Sequence, residues 1–237
     1  MGYKLDDFVY FFEEYELLLK KADDIFLTVK QKYPEEVTCK EGCTDCCYAL
    51  FDLTLIEAMY INFQFNKNIT DKKQREEVLE EANKIDRKIY KLKRRLFKEK
   101  QKGKSTEEIL EEVSKTKIRC PLLGEDSKCI LYKYRPITCR LYGIPLSFDG
   151  KVKTCSLSNF VAGKKYPAVF VDKIQDQLIL LSKKLVSSIP TRYTRLWEVL
   201  VPLSMALLTD YDDEYLGIVK DTPGYIEFEI GGGEDDE

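Results

Sequence analysis

The residues best suited to chemistry in this chain of 237 residues are its eight cysteines, which all lie between positions 39 and 155. Four of them fall in the short stretch CKEGCTDCC, as Cys39, Cys43, Cys46 and Cys47. The other four are Cys120, Cys129, Cys139 and Cys155. A metal ion in an all-sulfur site takes about four thiolates, each roughly 2.3 Å away. The clustering therefore predicts that all eight cysteines are metal ligands.

The spacing leaves several arrangements open. Two residues separate Cys43 from Cys46, which is a common ligand spacing. Cys46 and Cys47 are adjacent, and neighbouring side chains point apart in extended backbone. The pattern fits two four-thiolate centres, one cluster with a second metal, or one cluster with spare redox thiols. Buried cysteines can also be purely structural, but such residues need no clustering.

The chain contains no histidine, and this absence excludes many kinds of site. It rules out Cys-His zinc fingers, His-carboxylate zinc hydrolases and nucleophiles activated by histidine. All-sulfur ligation suits both zinc and iron–sulfur clusters. The adjacent cysteine pair and the surplus of thiols favour an iron–sulfur cluster, of the four-iron type, over zinc.

Composition predicts a protein of the cytoplasm, where clustered thiols stay reduced. Hydrophobic residues make up 44% of the chain, which is enough to build a core without metals. The net charge of −3 gives no reason to expect a nucleic-acid partner. No signal peptide is recognisable at the N-terminus. The most apolar run, residues 199–208, is too short to span a membrane, so we expect no membrane partner.

Hydrophobic periodicity predicts a mainly α fold with an irregular cysteine-rich metal-binding core and a small β-hairpin. Capping boxes begin at Thr54 and Ser105, and Asn66 and Asn68 are expected to end the helix that starts after Thr54. Asp149-Gly150 predicts a hairpin with Cys155 on or just past its second strand. Helices are expected at about 5–33, 55–65, 70–102, 106–116, 171–189 and 193–208, the last kinked or restarted at Pro202, with an edge strand at 225–230.

We expect a single domain over residues 1–237. Its cysteine-cluster region covers residues 39–160 and contains a helical insertion at about 70–117. Residues 161–237 form a C-terminal helical part that ends in a disordered acidic tail.

Charge compensation suggests further site residues. A four-thiolate metal centre is anionic, and burying it without a counter-charge is costly. Arg135 and Arg140 flank Cys139, and Arg119 precedes Cys120. Arginine can donate hydrogen bonds to sulfur while it stays charged. We therefore predict that Arg135 and Arg140 contact the metal group and that Tyr142 helps to cover it.

The cysteine motifs resemble a known family. CKEGCTDCC, Cys120-Pro121, Cys129, the stretch YRPITCRLYG at 134–143 and Cys155 are similar to the YkgJ-like cysteine-cluster proteins, which carry a CxxCxxCC signature. The resemblance covers about residues 39–160 and implies a domain that chelates zinc or iron. The family includes flagellin lysine N-methylases, in which an iron–sulfur cluster is implicated.

Three functions follow as expectations. The first is a metal-binding protein that holds an iron–sulfur cluster or zinc and serves electron transfer or metal handling, with metal ions and a protein or redox partner. The second is an iron–sulfur-dependent protein lysine N-methyltransferase, which the resemblance permits, although no GxGxxG loop is present. The third is a structural zinc domain for protein–protein interaction. The non-enzymatic reading is favoured.

Overall fold

Helix α2, Leu55–Asn68, is the centre of the fold because most of its side chains are buried. A helix that is covered on almost every side belongs in the interior of a protein. It packs against α1 (Val9–Lys32), α6 (Val171–Ser187) and α7 (Leu203–Leu208). The structure, a computed structural model, describes residues 2–148 and 150–219.

Two further helices form a hairpin between the cysteine groups of the sequence. They are α3, Lys72–Gln101, and α4, Thr106–Lys115. The narrow apolar seam of α3 is buried, and the helix packs against α7. Ion pairs of Arg95 and Lys104 with Glu99 and Glu112 connect α4 to α3. The contacts of α3 with α7 attach this hairpin to the rest of the described structure.

Short strands and turns complete the described elements of regular structure. Strand β1 (Asp52–Thr54) pairs antiparallel with β5 (Leu200–Pro202). Strand β2 (Leu146–Phe148) lies between β3 (Lys151–Lys153), antiparallel, and β4 (Val169–Phe170), parallel. The short helix α5 (Ile137–Leu141) packs against α1. The 3₁₀ turns are at Leu5–Phe8, Asp45–Tyr48, Tyr132–Tyr134 and Leu196–Glu198.

The mainly α prediction is confirmed, since helices make up most of the ordered elements. The capping boxes at Thr54 and Ser105 are both present. The predicted hairpin is formed by β2 and β3, and Cys155 lies just past its second strand. The predicted edge strand at 225–230 and the acidic tail lie outside the described residues.

The prediction of a helix over 193–208 is wrong for its first half. Residues Leu200–Pro202 form strand β5, and only Leu203–Leu208 is an α-helix. Proline favours extended backbone at the residue before it, and Pro202 itself is extended with ψ of 150°. This geometry lets the strand pair with β1 before the helix begins.

Helix α2 does end at Asn68, as predicted, but Asn66 does not break it, and the helix runs three residues past its expected end at about residue 65. The amide of Asn66 donates to Oδ1 of Asn62 at 2.6 Å, one turn earlier. The amide of Asn68 donates to the backbone oxygen of Gln64 at 2.8 Å. Both side chains bond to residues one turn earlier, which is compatible with helical backbone up to Asn68.

The buried carboxylate of Glu57 joins three helices near the cysteine region. It accepts hydrogen bonds from the backbone and hydroxyl of Thr54 and from the hydroxyl of Tyr15 on α1. The backbone N–H of Ile137, the first residue of α5, also donates to it. Burial raises the pKa of Glu57, although these donors oppose the shift. The network fixes the start of α5, the helix that carries Cys139.

Replacing Tyr15 by phenylalanine should lower the free energy of unfolding by about 1–2 kcal/mol, because a buried carboxylate loses a donor. The midpoint of urea unfolding measures the change. Tyr10→Phe is the matched control, since the hydroxyl of Tyr10 bonds Glu14 on the surface; its effect should stay within about 0.5 kcal/mol. Equal losses in both variants would contradict the structural role of the Glu57 network.

Candidate metal centre

Seven of the eight cysteines line one cavity with a volume of about 310 Å³. All eight are free thiols and are partly buried. The early and late cysteine groups, which the α3–α4 hairpin separates in sequence, therefore meet in space. The cysteines that line the cavity are Cys39, Cys43, Cys46, Cys47, Cys120, Cys129 and Cys139.

The cysteine sulfurs lie close together, but they do not form a preorganised coordination site. Within residues 2–148 and 150–219, no group of three or more cysteine or carboxylate side chains is arranged so that it could hold a metal ion. Cysteine side chains rotate between staggered rotamers without large backbone changes. Ligation would therefore require several of these thiols to turn toward a common point.

A 3₁₀ turn, Asp45–Tyr48, brings the adjacent pair Cys46 and Cys47 to the same cavity. Successive residues of a 3₁₀ helix are rotated by about 120°, whereas those of a strand point to opposite faces. The backbone N–H of Cys47 donates to the oxygen of Thr44 at 2.9 Å, which closes the turn. In this turn the side chains of Cys46 and Cys47 can therefore both reach the cavity, whereas in an extended chain they would point in opposite directions.

Backbone pairing attaches the second cysteine group to the first. The N–H of Cys120 donates to the oxygen of Cys47 at 2.6 Å, and that of Ile118 donates to the oxygen of Tyr48 at 3.1 Å. Ala49 and Lys117 form an antiparallel bridge beside these bonds. A second bridge, Leu123 with Cys129, folds the following loop back on itself. The loop that carries Cys120 and Cys129 is therefore anchored beside Cys47.

The segment that carries Cys155 is attached near Cys39 instead. The hydroxyl of Thr38 donates to the oxygen of Leu157 at 2.7 Å, and the N–H of Asn159 donates to the oxygen of Glu36 at 2.9 Å. Cys155 is not among the residues that line the cavity. Its thiol lies 3.4 Å from Oδ2 of Asp45, in the turn before Cys46.

Contacts between thiols set the pKa of Cys46 apart from those of Cys47 and Cys139. Hydrogen bonds from the thiols of Cys139 and Cys47 lower the pKa of Cys46. Burial opposes this shift, and the charge of Arg135 supports it. The same contacts raise the pKa values of Cys47 and Cys139. Cys46 is therefore the thiol that ionises first in this group.

Burial keeps most of the other thiols protonated. It raises the pKa of Cys39 to about 11 and that of Cys120 to about 12, and it also raises the pKa values of Cys129 and Cys155. A metal ion that bound these sulfurs would have to displace their protons.

Three of these sulfurs share one backbone pattern. Each accepts a hydrogen bond from the N–H two residues later, from Leu122 to Cys120, from Leu131 to Cys129 and from Leu157 to Cys155. The last of these bonds measures 3.4 Å. Hydrogen bonds to sulfur stabilise the thiolate form, and they tune the reduction potential of iron–sulfur clusters.

The two predicted arginines have different surroundings. Arg140 is only 7% exposed and donates to Asp23 and to the backbone oxygens of Arg135 and Lys133. Its donors are thus committed to the protein, although it lies at the cavity wall. Arg135 stacks on the ring of Tyr132 at 4.0 Å and also pairs with Asp23 at 3.8 Å. Its charge helps to lower the pKa of Cys46 and offsets part of the rise that burial causes at Cys129.

Tyr142 and Arg119 also lie near the cysteines. Tyr142 forms a hydrogen bond with Asp45, and its pKa is raised mainly by burial. Arg119 lines the cavity and donates to the backbone oxygen of Leu123 at 2.5 Å. Tyr142 is not among the lining residues. The side chain that both Tyr142 and Cys155 contact is Asp45.

Asp45 is a site residue that sequence reasoning missed. Its carboxylate contacts Cys155, accepts from Lys117 Nζ at 3.1 Å and bonds Tyr142. Burial opposes ionisation, but these bonds leave the pKa of Asp45 below its ordinary value. An acidic residue inside CKEGCTDCC was the available signal, but its partners come from distant segments.

No protein-family model matches the chain, and comparison with curated proteins and with solved structures gives no significant match. The resemblance to cysteine-cluster proteins therefore stays an expectation that rests on the cysteine motifs. Among the residues that the structure describes, none of the helices has the length and apolar character needed to cross a bilayer.

Gly143 allows the loop after α5 to approach Cys39. Its φ is +104°, a value that favours glycine, and a Cβ atom there would lie 2.7 Å from Cβ of Cys39. Contacts closer than about 3.4 Å between carbons are repulsive. Both backbone conformation and space therefore require glycine at this position.

Gly143→Ala should destabilise the fold more than Gly163→Ala. Gly163 has a similar φ of +83°, but a Cβ atom added there would have no neighbour within 4 Å, so its substitution carries only the backbone cost of about 1–2 kcal/mol. The variant at Gly143 adds a clash with Cys39. Urea unfolding and the rate of thiol labelling measure the difference, and equal losses of stability would contradict the close packing of Gly143 on Cys39.

Proposed function

We propose that this protein binds metal through its clustered cysteines, as an iron–sulfur cluster or as zinc, and serves electron transfer or metal handling. The observation that carries the proposal is the convergence of seven cysteines from distant parts of the chain on one cavity. Buried cysteines that served only packing would not be expected to line the same cavity. The proposal requires the thiols to reorient when metal binds, since they are not preset for it.

The chemistry of the donors fits soft metals. The cavity offers thiols from seven residues and a carboxylate only from Glu41, and the chain has no imidazole. Cysteine thiolates suit zinc, copper(I) and iron–sulfur clusters, whereas magnesium and calcium prefer oxygen. When bound, an iron–sulfur cluster would supply one-electron chemistry, and zinc would supply a structural cross-link. Cys46, Cys47, Cys120, Cys129 and Cys139 are the residues that would surround it most closely.

The remaining walls favour an anionic metal centre. Phe26, Phe51, Ile85, Ile89 and Leu203 cover the cavity with apolar surface, which limits access of water. Arg135 supplies positive charge next to the thiols, and its effect reaches Cys39, Cys46 and Cys129. Apolar surroundings and outer hydrogen bonds control the redox potential and stability of bound metals.

Metal and sulfide analysis of anaerobically purified protein tests the proposal directly. An iron–sulfur protein should contain iron and acid-labile sulfide and should absorb broadly in the visible range. A zinc protein should be colourless and should contain zinc without sulfide. Protein that holds neither, and that takes up neither during anaerobic reconstitution with iron and sulfide or with zinc, would contradict metal binding. Nothing in the described residues favours the lysine methyltransferase alternative over this proposal.

Cys46→Ser and Cys139→Ser should each lose bound metal and much of the stability of the metal-loaded protein, because metal binding and folding are coupled. Elemental analysis and thermal unfolding measure the two effects. The control is unfolding of wild type and variants after metal removal by a chelator. There the stabilities should be similar, since serine replaces one partly buried thiol. Full metal content in both variants would contradict the ligand assignment.

Substitution of Arg135 should mainly affect the release of metal, whereas substitution of Arg140 should mainly affect the stability of the fold. Arg135→Ala should speed the release of metal to a chelator by about 10–100-fold, the range typical of outer-sphere partners, and Arg135→Lys should restore part of the loss by keeping the charge. Arg140→Ala should lower the free energy of unfolding by roughly 2–3 kcal/mol even without metal, because buried acceptors lose their donor. Identical behaviour of the two alanine variants in both measurements would contradict this division.

A further inference from the structure

The thiols fall into two sets according to the backbone that holds them. The inner set is anchored by the pairing of residues 117–120 with residues 47–49 and by the Leu123–Cys129 bridge. The outer set is anchored by the pairing of residues 157–159 with residues 36–38. The inner set consists of Cys47, Cys120 and Cys129, together with Cys46 and Cys139, whose thiols bond to each other. The outer set consists of Cys39 and Cys155, together with Cys43, which a turn closed by its N–H to the oxygen of Lys40 at 3.0 Å folds back toward Cys39.

Electrostatic influence between the thiols follows the same division. Cys47 and Cys139 are both affected by the charges of Cys120 and Cys129. Cys39 is affected by Cys43 and Cys155, and Cys155 by Cys43. Such influence requires proximity, because charge interactions fall off with distance. The charge of Cys46 also reaches Cys39, but its thiol bonds directly to those of Cys47 and Cys139 in the inner set.

The outer set has a further donor that the inner set lacks. Asp45 lies 3.4 Å from the sulfur of Cys155, and its side chain is only 15% exposed. Lys117 contacts the other oxygen of the same carboxylate, at 3.1 Å from Oδ1. One carboxylate oxygen therefore contacts the thiol of Cys155, the other accepts from Lys117, and Tyr142 also bonds this carboxylate.

From this geometry we infer that the protein holds two metal centres, one all-sulfur and one completed by a carboxylate. The inner set, Cys46 and Cys139 included, supplies the thiolates of the first centre, and Asp45 joins the outer set in the second. Three thiolates and one carboxylate make a four-ligand zinc-type site. The inference rests on the proposed metal binding and adds to it the number of centres and the ligand Asp45.

The two centres differ in accessibility and in ligand softness. Cys155 lies outside the main cavity, and the outer set is closed by Asp45 instead of a fourth thiol. A carboxylate is a harder ligand than a thiolate and binds soft metals less strongly. The outer centre therefore exchanges its metal first, while the inner centre retains it.

The test compares outer-set variants of the full chain, prepared anaerobically and reconstituted with zinc alone. Cys155→Ser and Asp45→Asn should each lose the fast-exchanging part of the metal and keep the slow part, as measured by elemental analysis and by release to a chelator. Cobalt(II) substitution gives a second readout, because thiolate-to-cobalt charge-transfer absorption increases with the number of thiolates. The metal kept by Cys155→Ser should have the spectrum of an all-sulfur site.

The matched control is Asp52→Asn, which also removes a carboxylate paired with a lysine, here Lys93 at 2.7 Å. This control should keep all metal. Loss of all metal in both outer variants would show a single shared centre and overturn the inference, as would full retention in both. Wild-type protein that binds no zinc and no iron–sulfur cluster would instead overturn the proposed function. Asp45→Asn keeps the test decisive if Cys155→Ser fails to fold.

Discussion

The hydrogen bond from the backbone of Cys120 to the oxygen of Cys47 is the contact on which the site depends. It joins two cysteine groups that the α3–α4 hairpin separates, and neighbouring bonds from Ile118 and Lys117 extend it into a short ladder. Backbone hydrogen bonds do not depend on side-chain identity. The paired loops can therefore have cysteines at the positions that face the cavity without weakening the pairing. The thiols are thus brought together by backbone pairing, whether or not metal is bound.

Burial and proximity act against each other in this cavity. Burial favours neutral thiols, which is why the pKa values of Cys39 and Cys120 are raised. Contact between thiols favours one anion, Cys46, that its neighbours stabilise. Arg135 and the backbone donors to sulfur shift the balance toward thiolate without a fixed ligand geometry. The cavity is therefore a place where negative charge on sulfur is tolerated, which an ordinary apolar core would not allow.

Helix positions were predictable because they depend on local signals. Hydrophobic spacing and the capping boxes at Thr54 and Ser105 placed α2, α3 and α4. Strand β5 was not predictable, since Pro202 favours extended backbone but the strand itself forms only through pairing with β1. The convergence of the cysteines followed from their clustering in sequence. The partners of Arg140 and Asp45 could not be predicted from the sequence. Asp23, Lys117 and Cys155 come near them only through tertiary contacts.

The long interval between the two cysteine groups has a consequence for biosynthesis. The cavity cannot close until Cys120 and the residues after it have been synthesised. At elongation rates of about 5–20 residues per second, the nascent chain carries Cys39 to Cys47 without their later partners for roughly 4–15 s. During that time these thiols are exposed to oxidants and to stray metal ions. A reducing environment around the nascent chain would keep these thiols free until the late segment arrives.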